Sequence, residues 1–127
     1  MDERGARQLA ELWTRRLDGD TSVDEAVEQS VVLMNFTVSP AVQWAFICAA
    51  VNKAETDETL GHIAAGPVEH LLGKYGDEYI GHVETEANRA PKFSRMMTGV
   101  WRHMMNDAVW ARVETIKASA AASDNEL

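Results

Sequence analysis

Residues 39–54, SPAVQWAFICAAVNKA, constrain the fold more than any other stretch. Their apolar side chains (Val42, Trp44, Ala45, Phe46, Ile47, Cys48, Ala49, Ala50 and Val51) surround the axis instead of keeping to one face. That is how a helix reads when neighbours cover it on every side. Ser39 offers an N-cap oxygen, and Pro40 suits the first helical position, where a missing N–H costs nothing. Ala41, Ala45, Ala49 and Asn52 make a small row that lets a second backbone approach, while Trp44, Ile47, Cys48 and Val51 fill volume on another side. The reading is a buried central helix over residues 40–54.

The flanking sequence is helical by the same criteria. Ala6, Leu9, Ala10, Trp13 and Leu17 recur at helical spacing until Gly19 stops them. Ser22 and Glu25 have the spacing of a capping box, from which Ala26, Val27, Ser30, Val31 and Met34 carry a helix to about Asn35. Residues 36–38 read as a short extended link. Beyond the central helix, residues 55–58 open a short helix facing inward through Leu60, Ile63 and Ala64. Gly66 and Pro67 form a stop followed by a start, which predicts a tight helix–turn–helix corner. The second arm buries Leu71 and Leu72 and ends at Gly76, after which Asp77 caps a helix running towards Arg89. Pro91 begins the last and longest helix, with a stripe of Phe93, Met97, Val100, Trp101, Met104, Ala108 and Val113 that continues weakly into Ile116. Met97 and Met104 read as core, and Met96 and Met105 fall beside the stripe.

All three prolines precede a helix start, and no stretch combines period-two alternation with hairpin turn residues. The expected class is all-α, with about seven helices in a compact bundle or a short stack of helical hairpins around residues 40–54. One helical domain is expected over residues 1–117, followed by a disordered acidic tail over residues 118–127.

Several chemistries are disfavoured. The single cysteine, Cys48, allows no disulfide framework and no zinc knuckle. The longest apolar run, residues 44–51, is too short to cross a bilayer, and residues 1–12 carry no hydrophobic signal region, so a cytoplasmic chain is expected. There is no serine nucleophile elbow and no glycine-rich phosphate loop. The residues most suited to acid–base or metal chemistry are His62, Glu69, His70, His82, Glu84 and Glu86. His82 and Glu86 stand four apart, as two metal ligands would, but the plainer reading is an exposed helical pair. Glu69, third after Gly66, reads first as a cap for free helix N–H groups and second as a buried general acid. No catalytic residue, metal site or cofactor is assigned.

Charge is unevenly spread. Between residues 23 and 88, eleven acids face only Lys53 and Lys74, a balance of −9; between residues 89 and 117, six bases face Asp107 and Glu114, a balance of +4. The division reads as two faces that attract within the fold, or as an acidic surface for a basic partner. A net charge of −8 disfavours direct nucleic-acid binding, which gains affinity by neutralising phosphates. The expected partner-binding residues are Glu55, Asp57, Glu58, Asp77 and Glu78.

Four segments, WAFICAAV, LGHIAAGPVEHLLGKYG, IGHVETEA and KFSRMMTGVW, carry the pattern W-x-F-I, I-A-A-G-P-L-E-x-L-L, I-x-x-x-E-x-x-A and F-x-x-x-L-x-x-V-W. In this the chain resembles a family of small bacterial helical proteins of unknown function. The resemblance covers about residues 42–101. Trp44, Gly66, Pro67, Glu69, Glu84, Phe93 and Trp101 occupy the pattern, and Val68 and Met97 each replace a leucine. It implies a helical domain of bacterial origin and carries no activity. The leading functional expectation is a non-enzymatic acidic interaction protein, such as an immunity- or antitoxin-like inhibitor or an adaptor, bound to a basic protein. The alternatives are a small metal-dependent or acid–base hydrolase built on His62, Glu69, His82 and Glu86, and a homo-oligomeric module using the Met and Trp face of the last helix.

Overall fold

The computed structural model describes residues 1–125. Among these, helices α1 (Glu3–Leu17), α2 (Ala26–Thr37), α3 (Pro40–Lys53) and α4 (Asp57–Ile63) lead into a π-helical turn (Ala64–Val68). Helices α5 (Glu69–Arg89), α6 (Pro91–Met97) and α7 (Asp107–Asn125) follow, and no described residue lies in a strand. The all-α expectation is met.

The core is organised about α3, where Ser39 caps the Val42 N–H and Pro40 opens the first turn. Phe46, Ile47, Ala50 and Val51 are buried, and α1 lies along α3 with Ala6, Leu9, Ala10 and Trp13 turned inward. The Trp13 and Phe46 rings meet at 5.6 Å between centroids. The cover is incomplete, however. Ala41 and Asn52 are exposed and Ala45 and Ala49 half-buried, so the small row floors an open groove instead of receiving a helix. Side chains this short leave about 870 Å³ between α1 and the end of α5. Cys48 lies in the same floor, where desolvation first and the nearby Glu86 charge second push its thiol up to about 12.

Three joints differ from the sequence reading. The capping box is not used. Asp20 holds Ser22 by two hydrogen bonds, Asp24 accepts the Ala26 N–H, and α2 continues through Phe36 to Thr37. At Gly66–Pro67 the chain does not turn a corner but passes from α4 into α5 through the π turn. In an α-helix the Pro67 ring would press on the carbonyl four residues back, and a wider turn relieves this. The Glu69 N–H accordingly reaches the carbonyl of Ala64, five residues away. At Gly76 the helix kinks at Tyr75 (φ −126°, ψ 28°) without stopping, and Asp77 accepts a bond from Asn106 at 2.9 Å instead of capping. The fit at Gly76 is close, because a Cβ would lie 3.0 Å from both Val109 methyls and Val109 would have to give way.

The predicted long last helix is two helices. After Met97, the N–H groups of Thr98, Gly99 and Val100 bond back three residues, a 3₁₀-like closure, and residues 98–106 run as a loop. The interruption resets the helical phase. Met96 and Met105, read as lying beside the stripe, are buried with Met97, whereas Met104 and Trp101 point outward. The segment read as a disordered tail continues α7 as far as Asn125, with Ala120 buried; Glu126 and Leu127 lie outside the described residues.

Opposed charges from the two segments meet at the surface of the fold. Arg112 pairs with Glu84 and holds its carboxyl below the usual range, and Arg95 stands 3.6 Å from Asp57. Phe46 is the residue on which α1 and α3 converge. Phe46→Ala should lower the unfolding free energy by about 3–5 kcal/mol, measured by urea denaturation.

Candidate functional site

The second half of α2 carries Val31, Val32, Leu33, Met34 and Phe36 on more than one side, and such a run cannot hide every side chain against one neighbour. It buries Val31 and Met34 and leaves Val32, Leu33 and Phe36 exposed at 55%, 55% and 68%. Phe36 is not isolated. Its ring meets the ring of His70, in the first turn of α5, edge-on at 4.6 Å. One turn further, at Gly73, the 98–106 loop comes down onto α5. A Cβ at Gly73 would lie 2.6 Å from the His103 carbonyl oxygen and 3.4 Å from the Met104 Cβ, so only glycine admits the loop. His70 and Gly73 are neighbours on one helix face. A continuous surface therefore runs from α2 across α5 to Met104.

The loop is held from several sides. The Glu69 carboxylate accepts the Trp101 N–H at 3.0 Å. Arg102 donates to the Met105 carbonyl and to Asp107, and Asn106 bonds Asp77 while accepting the Val109 N–H at the start of α7. Lys117 donates to the Val100 carbonyl, with its ammonium 4.1 Å from the Trp101 ring centroid and 5.5 Å from that of Trp110. Within this frame Met104 takes a φ of 58°, a left-handed conformation costing a non-glycine residue about 1–3 kcal/mol. The result is outward presentation of large apolar groups, Trp101 at 68% exposure and Met104 at 80%.

The acids expected to bind a partner do not gather. Glu55, Asp57 and Glu58 stand exposed at the start of α4, where Asp18 accepts the Glu55 N–H. Asp77 and Glu78 lie twenty residues along the nearly continuous α4–α5 rod, about 30 Å away at 1.5 Å per residue. Asp77 belongs with the docking loop through Asn106. The residues considered for acid–base chemistry are likewise dispersed. Glu69 binds the Trp101 N–H and caps no turn of its own helix, and Glu86 is paired with Arg89 at 2.7 Å. His82 packs against Tyr79 and Trp44, while His62 is exposed on α4. Among the described residues no three His, Cys, Asp or Glu side chains are grouped to hold a metal ion.

Sequence reasoning missed α2 as a surface although the signal was present. Val32, Leu33 and Phe36 fall outside the stripe that carries Val27, Val31 and Met34. Compared with known proteins, residues 9–121 match the model of a family of unknown function, DUF6869. No curated protein and no solved structure matches the chain.

Glu69→Ala should free the Trp101 amide, raising its hydrogen-exchange rate and costing about 1 kcal/mol of stability. Glu69→Gln, which keeps an acceptor oxygen, should leave that amide protected.

Proposed function

We propose that this chain, which belongs to the DUF6869 family, is a non-enzymatic interaction protein that docks on a basic partner protein as an inhibitor or adaptor. The observation that carries the reading is the surface joining Val32, Leu33 and Phe36 to Met104 and the Trp101 loop. These are five of the seven large hydrophobic side chains exposed among the described residues. Clustered exposed apolar groups are the mark of an interaction site, and aromatic and methionine side chains serve there as anchors.

Charge selects the partner. At −8 a second copy of this chain would be repelled, whereas a basic protein is drawn in. Seven of the arginines are engaged in ion pairs within the chain, and Asp77 and Glu78 are among the acids with no described cationic partner, as are Glu55 and Glu58. Asp77, which accepts a hydrogen bond from Asn106, and the adjacent Glu78 flank the loop, and these acids guide approach. Glu55, Asp57 and Glu58 lie too far along the rod to belong to the same contact. An immunity- or antitoxin-like inhibitor of a bacterial, cytoplasmic, nucleic-acid-handling enzyme is the sharpest form of this reading. No described helix is long and apolar enough to cross a membrane.

The test is capture by the tagged chain at low and raised salt, followed by affinity measurements on the variants. One basic protein should be held one to one. Phe36→Ser and Met104→Ser should each weaken it about tenfold, the loss of a single buried anchor. Asp77→Asn with Glu78→Gln should slow association and flatten its salt dependence. Binding that ignores these substitutions but is lost on neutralising Glu55, Asp57 and Glu58 would move the site to the start of α4. Absence of any basic partner at either salt would refute the reading.

A further inference from the structure

We infer that Met104 is an oxidation site through which hydroperoxides switch the docking surface off; the consequence rests on the interaction reading above, but the chemistry does not. Burial divides the six methionines sharply. Met34, Met96, Met97 and Met105 are at most 4% exposed, whereas Met104 is 80% and Met1 is 61% exposed. Met104 differs from Met1 in being fixed. Its left-handed backbone, the close approach at Gly73 and the clamps on either side of the loop keep its thioether at the surface without any opening of the fold.

In the reaction a sulfur lone pair attacks one peroxide oxygen, so that an S–O bond forms as the O–O bond breaks. The departing oxygen takes the proton and leaves as water or an alcohol. The thioether is oxidised to the sulfoxide and the hydroperoxide is reduced. The product replaces a soft apolar group by a strong dipole over Gly73, one turn of α5 from His70, and a sulfoxide reductase can reverse it. The other oxidisable sulfur, Cys48, is half-buried in the α1–α3 groove as a neutral thiol and competes poorly.

The experiment treats the purified full chain with hydrogen peroxide and follows each methionine by peptide mass mapping. Met104 should gain oxygen at a rate close to that of Met1 and at least about tenfold faster than Met34, Met96, Met97 and Met105, a difference that disappears in denaturant. A Met104 rate no greater than that of Met105 overturns the inference. In parallel, Nile red reports the apolar surface. Its fluorescence should fall on oxidation of the wild type and stay constant in Met104→Leu, which keeps bulk and apolarity but cannot be oxidised. Equal loss in both proteins, no loss in the wild type, or no dye binding before oxidation each overturns the switch. Failure to find a basic partner would sink the interaction reading while leaving the mass map as evidence on Met104.

Discussion

Burial of one face of α3 is the constraint on which the other elements depend. Phe46, Ile47, Ala50 and Val51 present more apolar surface than one helix can cover, and α1, α4, the π turn, α5 and α6 all pack against them. At roughly 25 cal/mol per Å² of apolar surface removed from water, such convergence outweighs local preferences at the joints. It explains why Pro67 is accommodated by a widened turn and why α5 kinks at Tyr75 without ending. Both concessions keep Val68, Leu71, Leu72 and Ile80 in the core.

Local start and stop chemistry was a good guide at some joints and was overridden at others, the Ser22–Glu25 box, Gly66–Pro67 and Gly76–Asp77 among them. Ser39 with Pro40, Pro91, and the Asp18–Gly19 stop each act within a turn of themselves, and the structure uses them all. Features decided by tertiary approach were not legible. The end of α6 is set where Gly99 passes over α4, its Cβ position 3.7 Å from the Gly61 Cα, and the stripe from Phe93 to Val113 gives no hint of it. Because that stripe was read through the break, Met104 was placed inside and Met105 outside. The candidate surface was half legible. Its α2 part is an excess of apolar residues visible in the sequence, whereas its loop part exists only because distant groups, Glu69 and Lys117, hold backbone atoms near Trp101.

The asymmetric charge has a double role. Part is satisfied internally, since Arg95 and Arg112 from the basic C-terminal segment reach Asp57 and Glu84 in the acidic middle. Exposed pairs of this kind contribute little stability each. Each such pair cancels one acid with one base at the surface, so the net charge of −8 is carried by the acids left without a partner.

The rod formed by α4, the π turn and α5 spans 33 residues, about 50 Å at helical rise, longer than the diameter of a small domain. The docking loop bears on it at Glu69 and Gly73, just before the bend at Tyr75, and its far arm carries Glu86 and Arg89 into the wall of the α1–α3 groove. The bend at Tyr75 therefore sets the direction of the far arm, and with it where Glu86 and Arg89 stand in the groove wall relative to the docking loop.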